Sequence, residues 1–124
     1  MTWYAAHVVE SIRKLNNKND DILIYENVVL IEAKNDKQAL TKAKKYAKAA
    51  IVHDETLTLD NEPAILELIG IRKVVTIGNP WPLKQDEDPP TTGTEISYSE
   101  FRVKNQRDLR KFVKGEPVMV EYLE

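Results

Sequence analysis

The chain contains no cysteine and only four glycines, and aromatic residues make up 7% of it. Without a thiol there is no disulfide framework, no thiolate ligation of zinc or iron–sulfur clusters, and no cysteine nucleophile. The scattered glycines form no phosphate-cradling loop, and no Gly-x-Ser-x-Gly elbow occurs. No apolar run approaches the roughly 20 residues that span a bilayer. Charge of neither sign dominates: 18 Lys and Arg stand against 20 Asp and Glu. That balance weakens the case for a dedicated nucleic-acid or membrane-surface binder but leaves room for a local basic patch. Met1-Thr2-Trp3 does not open as a signal peptide does, so a soluble, cytoplasmic protein without a membrane partner is expected.

What is present is a chain of 124 residues, 42% hydrophobic and 31% charged. That is enough for a single domain, 1–124, with one core and no staples. Trp3 to Ile12 alternates with apolar residues on both parities, as a strand covered on one face and partly on the other. Asn16 to Asp20 is a run of turn formers, and Ile22 to Ala33 is a long β-branched run. The short turn between them makes an antiparallel hairpin. Asn35 followed by Gln38 is a capping box, and it opens an amphipathic helix from about Asp36 to Ile51. At 100° per residue, Ala39, Leu40, Ala43, Ala47, Ala50 and Ile51 share an arc of about 120°, and the lysines lie outside it.

A polar connection, His53 to Pro63, leads to a third strand, Ile65 to Ile77, where Gly70 suggests a bulge. Residues 78–93 hold four of the six prolines and read as a long flexible loop. Few hydrogen bonds are expected to anchor its middle, and removal of 84–92 is expected to leave the fold intact. Thr94 to Val103 is a fourth strand, expected to pair with the third. Asn105 and Asp108 open a short helix carrying Leu109, Phe112 and Val113, which Gly115 stops. Pro117 to Leu123 is a last strand. The order β-β-α-β-β-α-β describes an α+β fold: a single mostly antiparallel sheet with helices packed on one face.

Three features together resemble a bacterial family known only as domain of unknown function 4288. They are Trp3-Tyr4 running into a strand, Val29-Leu30-Ile31-Glu32-Ala33 followed by a capped helix with Ala39-Leu40 and Ala43, and Gly93-Thr94-Glu95-Ile96. The resemblance covers roughly residues 3–103. It implies a fold and no established activity, so it assigns no catalytic residue. The proline-rich loop and the residues after Lys104 depart from the short form of the family.

Candidate chemistry is sparse. His7 and His53 lie in different elements without ligand spacing, so they read as an exposed or half-buried strand histidine and a loop or helix-end histidine. Asp86, Glu87 and Asp88 fall in the solvated loop, where no burial would raise a pKa. Ser97 and Ser99 share a strand parity with Glu95 and read as an alternating face. Lys34 to Lys48 carries six lysines, and Arg102 to Lys114 carries six cations. If both helices lay on one side of the sheet, they would make a basic face able to meet phosphates. Trp81, between Pro80 and Pro82, would fold back on the core or meet a partner.

The leading expectation is a non-enzymatic protein acting through protein–protein contact, as a homodimer built on its sheet, with no cofactor and no metal. Trp81, Lys37, Lys44, Lys45 and Lys48 are the candidate interaction residues. A nucleic-acid accessory role through the lysine-rich helix is the alternative. A further one is a small-ligand binder or enzyme with Tyr4, His7 and the prolyl loop lining a pocket.

Overall fold

The computed structural model describes residues 1–16, 21–85 and 87–124. Two long strands open the chain, β1 (Thr2–Lys14) and β2 (Leu23–Ala33), and α1 (Asp36–Ala50) follows. Next come β3 (Thr58–Leu59), β4 (Glu62–Thr76), β5 (Phe101–Arg102), α2 (Gln106–Lys114) and β6 (Glu121–Tyr122). The first four strands form an antiparallel sheet in the order β2-β1-β4-β3, and β5 and β6 form a separate two-stranded sheet. The class is α+β, as the sequence predicts. The turn expected at Asn16 to Asp20 falls, beyond Asn16, outside the described residues.

The helix α1 begins where its capping residues place it. Asn35 Oδ1 accepts from the Gln38 backbone N–H at 2.8 Å, and Gln38 Oε1 accepts from the Lys34 N–H at 2.8 Å. Its buried residues are Ala39, Ala43 and Ala47, the alanines of the expected arc. With no side chain beyond Cβ, they let the helix lie close on the sheet. Ala39 and Ala43 pack with Tyr4, Ala6, Ile31 and Ala33, flanked by Val29, Ile71 and Val74. The helix touches β4, β2 and β1, so this is the central core. Within the connection predicted as merely polar, Asp60 and Asn61 both adopt positive φ and close the tight β3–β4 hairpin. Asp and Asn tolerate that backbone better than other non-glycine residues.

The register between β1 and β4 slips twice. His7 pairs with Lys73 and Val8 with Ile71, which leaves Arg72 unpaired as a bulge; Val9 pairs with Gly70 and Glu10 with Leu68, which leaves Ile69 unpaired. The irregularity expected at Gly70 is therefore present, with a second one beside it. A bulge turns an extra side chain out of the regular alternation.

The second half of the chain departs from the expected layout. Thr94 to Val103 does not lie beside β4 as a fourth strand. It makes a single bridge, Gly78 to Glu95, then crosses the sheet face, and only Phe101–Arg102 pairs, with Glu121–Tyr122. The physical cause is side-chain bonding. Ser97 is held by His7 and the Tyr98 carbonyl by Lys73, so the segment is tied across the sheet rather than along its edge. The one-face expectation holds for α1. The second helix rests instead on the small sheet, where Phe112 meets Phe101 with ring centres 5.4 Å apart. Asn105 caps α2 through the Asp108 N–H at 2.8 Å, and Gly115 ends it at φ 77°.

Candidate functional site

Alternation along β1 sends Tyr4, Ala6 and Val8 toward α1 and Ala5, His7 and Val9 to the opposite face. On that second face His7 is only 3% exposed. Its neighbours come from three directions. Glu26 arrives from β2, two residues along from Val28, the residue opposite His7. Arg72 arrives from the bulge of β4, and Ser97 from the crossing segment.

The bonds among them form one chain. Ser97 Oγ lies 2.5 Å from His7 Nε2, and His7 Nδ1 is hydrogen-bonded to Glu26 Oε1. Arg72 Nε donates to the same carboxylate oxygen at 2.9 Å, with a second bond from Nη2. Partial burial works against charge on Glu26, but the hydrogen bonds and charges of Arg72 and His7 outweigh it and hold the carboxyl below its ordinary value. A carboxylate can only accept, so it holds a proton on His7 Nδ1; in the neutral ring Nε2 then accepts from the serine hydroxyl.

The C-terminal segment completes the surroundings. The Arg72 guanidinium carbon lies 4.2 Å from the centre of the Tyr122 ring. Lys73 Nζ bonds to Glu124 at 2.8 Å and to the Tyr98 carbonyl, and the Tyr122 hydroxyl donates to Glu124 at 2.8 Å. Beside the polar cluster lies an apolar cavity of about 240 Å³ lined by Ala5, Val28, Leu30, Ile77, Pro90 and Ile96.

The sequence candidates are dispersed. Tyr4 belongs to the core under α1, so it cannot share a pocket wall with His7; the prolyl loop does contribute Pro90 to the cavity. Trp81 does not fold back: it is 92% exposed. Lys37, Lys44, Lys45 and Lys48 are exposed on α1, and Lys44 and Lys48 border a groove against β4. Because α2 sits on the small sheet, its cations do not join them in one basic face. His53 is exposed, and among the described residues no group of three His, Asp or Glu could hold a metal ion. Glu87 pairs with Lys84 at 3.4 Å, and Asp88 accepts from the Lys84 N–H at 2.8 Å, so both serve the loop's own turn. Asp86 lies outside the described residues. Ser99 is exposed.

Sequence reasoning missed Glu26 and Arg72. Both carry a signal in retrospect: each is a charge flanked by apolar β-formers in a strand run, Ile-Tyr-Glu-Asn-Val-Val and Ile-Gly-Ile-Arg-Lys-Val-Val. Such a charge needs a partner where it is buried.

Residues 3–96 match the model of a family described as a domain of unknown function (DUF4288). No curated protein and no solved structure matches the chain. His7, Glu26 and Arg72 fall within the matched span, and Ser97 lies one residue beyond it.

Proposed function

We propose that this chain, which belongs to the DUF4288 family, acts through protein–protein contact and associates as a homodimer along β2. The observation that carries this reading is the place of β2 in the sheet. It is the terminal strand of the order β2-β1-β4-β3, eleven residues long, with only β1 beside it. An open edge of that length offers a row of backbone donors and acceptors to another strand. Three of its second-face side chains are apolar and exposed, Ile24 at 63%, Val28 at 46% and Leu30 at 51%, and Glu26 and Glu32 share that face.

A second copy fits this edge. Antiparallel self-pairing about Val28 sets Val28 against its own copy, Glu26 against Leu30 and Ile24 against Glu32. No glutamate then lies opposite a glutamate, the arrangement that would destabilise such a pair. The two sheets would merge into one continuous sheet, and the apolar row would be shared between the copies.

The test is the oligomeric state at micromolar concentration, compared with Val28→Lys. A lysine on an edge strand opposes strand addition without disturbing the sheet behind it. Dimeric wild type and monomeric, folded variant support the reading. Two monomers overturn it.

A further inference from the structure

We propose that Ser97, His7 and Glu26 form an acyl-hydrolase site that takes short apolar carboxylic esters. Three observations meet in this assignment. Nucleophile, base and orienting carboxylate are bonded in series, with Ser97 Oγ on His7 Nε2 and His7 Nδ1 on Glu26. A serine is a weak nucleophile alone and becomes effective where a base can take its proton and a third group holds that base. The carboxylate is itself fixed from behind by Arg72.

The surroundings suit the substrate class. The 240 Å³ cavity has walls of Ala5, Val28, Leu30, Ile77, Pro90 and Ile96. Ile96 precedes the nucleophile in the chain, and Val28 lies opposite His7 in the sheet. An apolar acyl chain of a few carbons fits such a volume, whereas a charged one would lose its hydration there. Lys73, opposite His7 in the register, bonds the carbonyl of Tyr98, the residue after Ser97, and pairs with Glu124, so it fixes the segment that carries the nucleophile.

The reaction uses only ester and water. Ser97 Oγ bonds to the carbonyl carbon as its proton passes to His7 Nε2. The tetrahedral intermediate collapses, the bond to the alcohol oxygen breaks, and the alcohol leaves with that proton. Water then attacks the acyl-serine and gives a proton to His7. The bond to Ser97 Oγ breaks, the serine recovers the proton, and the carboxylic acid departs. Ser97 and His7 are the catalytic residues; Glu26 is a positioning residue.

The experiment uses the full chain with a fluorophosphonate probe and with p-nitrophenyl butyrate. The expected result is one covalent adduct, mapped to Ser97, and turnover beyond one equivalent per chain. Ser97→Ala should lose the adduct and at least about 100-fold of the turnover, with an unchanged melting temperature. His7 is buried and its replacement could unfold the chain, so Glu26→Gln supplies the second variant: kcat falls at least tenfold while KM holds. An adduct elsewhere, no adduct, or equal turnover in Ser97→Ala overturns the assignment and leaves the four side chains as a structural tie. The dimer reading is scored separately by mass, so either proposal can fail alone.

Discussion

Arg72 lies with its guanidinium carbon 4.2 Å from the centre of the Tyr122 ring. Through this contact the small β5–β6 sheet is fastened to the main sheet. Arg72 is available because the bulge between His7 and Val8 frees it from the regular register. Tyr122 also meets Phe101 edge-on, with centres 5.6 Å apart. Replacing Tyr122 by Leu keeps bulk but removes both ring interactions and the hydroxyl bond to Glu124, at an expected cost of about 1–2 kcal/mol. Urea denaturation measures the loss, and faster amide exchange at β5 and β6 shows where it falls.

The arc of α1 is testable by two neighbouring substitutions. Ala43 is fully buried against Ala6, Ala33 and the strands around them. Ala43→Asp places a charge there and should cost about 3 kcal/mol or more. Lys44→Glu, one residue on and exposed, should change stability by about 0.5 kcal/mol. Equal effects in thermal denaturation would mean that the helix is rotated from its described phase.

Acid should find Glu26. Its carboxyl is held below the ordinary value by Arg72 and His7 against the opposing effect of burial. A carboxyl depressed in the folded state contributes stability that is complete above its unfolded value, about 4.3, and disappears as pH falls through the lower folded value. Wild type should therefore exceed Glu26→Gln in stability at pH 7, and the difference should shrink as pH drops below about 4. A difference that does not change across that range in denaturation experiments would separate Glu26 from the acid response.

The loop at residues 78–93 has more internal bonding than its composition suggests. Asn79 donates to the Asp88 carbonyl at 2.8 Å and accepts from the Thr94 hydroxyl at 2.7 Å, and the Thr91 N–H donates to Thr94 Oγ1 at 3.0 Å. The expectation of few anchoring bonds is thus corrected. Asn79→Ala should speed tryptic cleavage after Lys84 several-fold, while global stability changes by no more than about 1 kcal/mol. Unchanged cleavage would show that the prolines alone hold the loop.

The parts legible in the sequence are those written in local chemistry. Asn35 with Gln38, the Ala39-Ala43-Ala47 spacing and the three long β runs give α1, β1, β2 and β4 to within three residues at each end. The crossing segment is illegible by pattern, because Thr94 to Val103 alternates as a strand does. Its path is decided by side chains far away in sequence, His7 and Lys73, which bind it across the face. The Ser97–His7–Glu26 cluster is hidden for the same reason: its members are 19 and 90 residues apart, and only the pairing of β1 with β2 and the crossing segment unite them. Trp81 shows the limit of composition, since an isolated aromatic between prolines carries no periodicity that would state which way it points.

The central claim is association along β2, and sedimentation equilibrium at micromolar concentration tests it most directly. Wild type should sediment at twice the 14.2 kDa chain mass, and Val28→Lys at that mass while keeping its circular dichroism. A wild-type chain that remains at 14.2 kDa throughout that range would contradict the account.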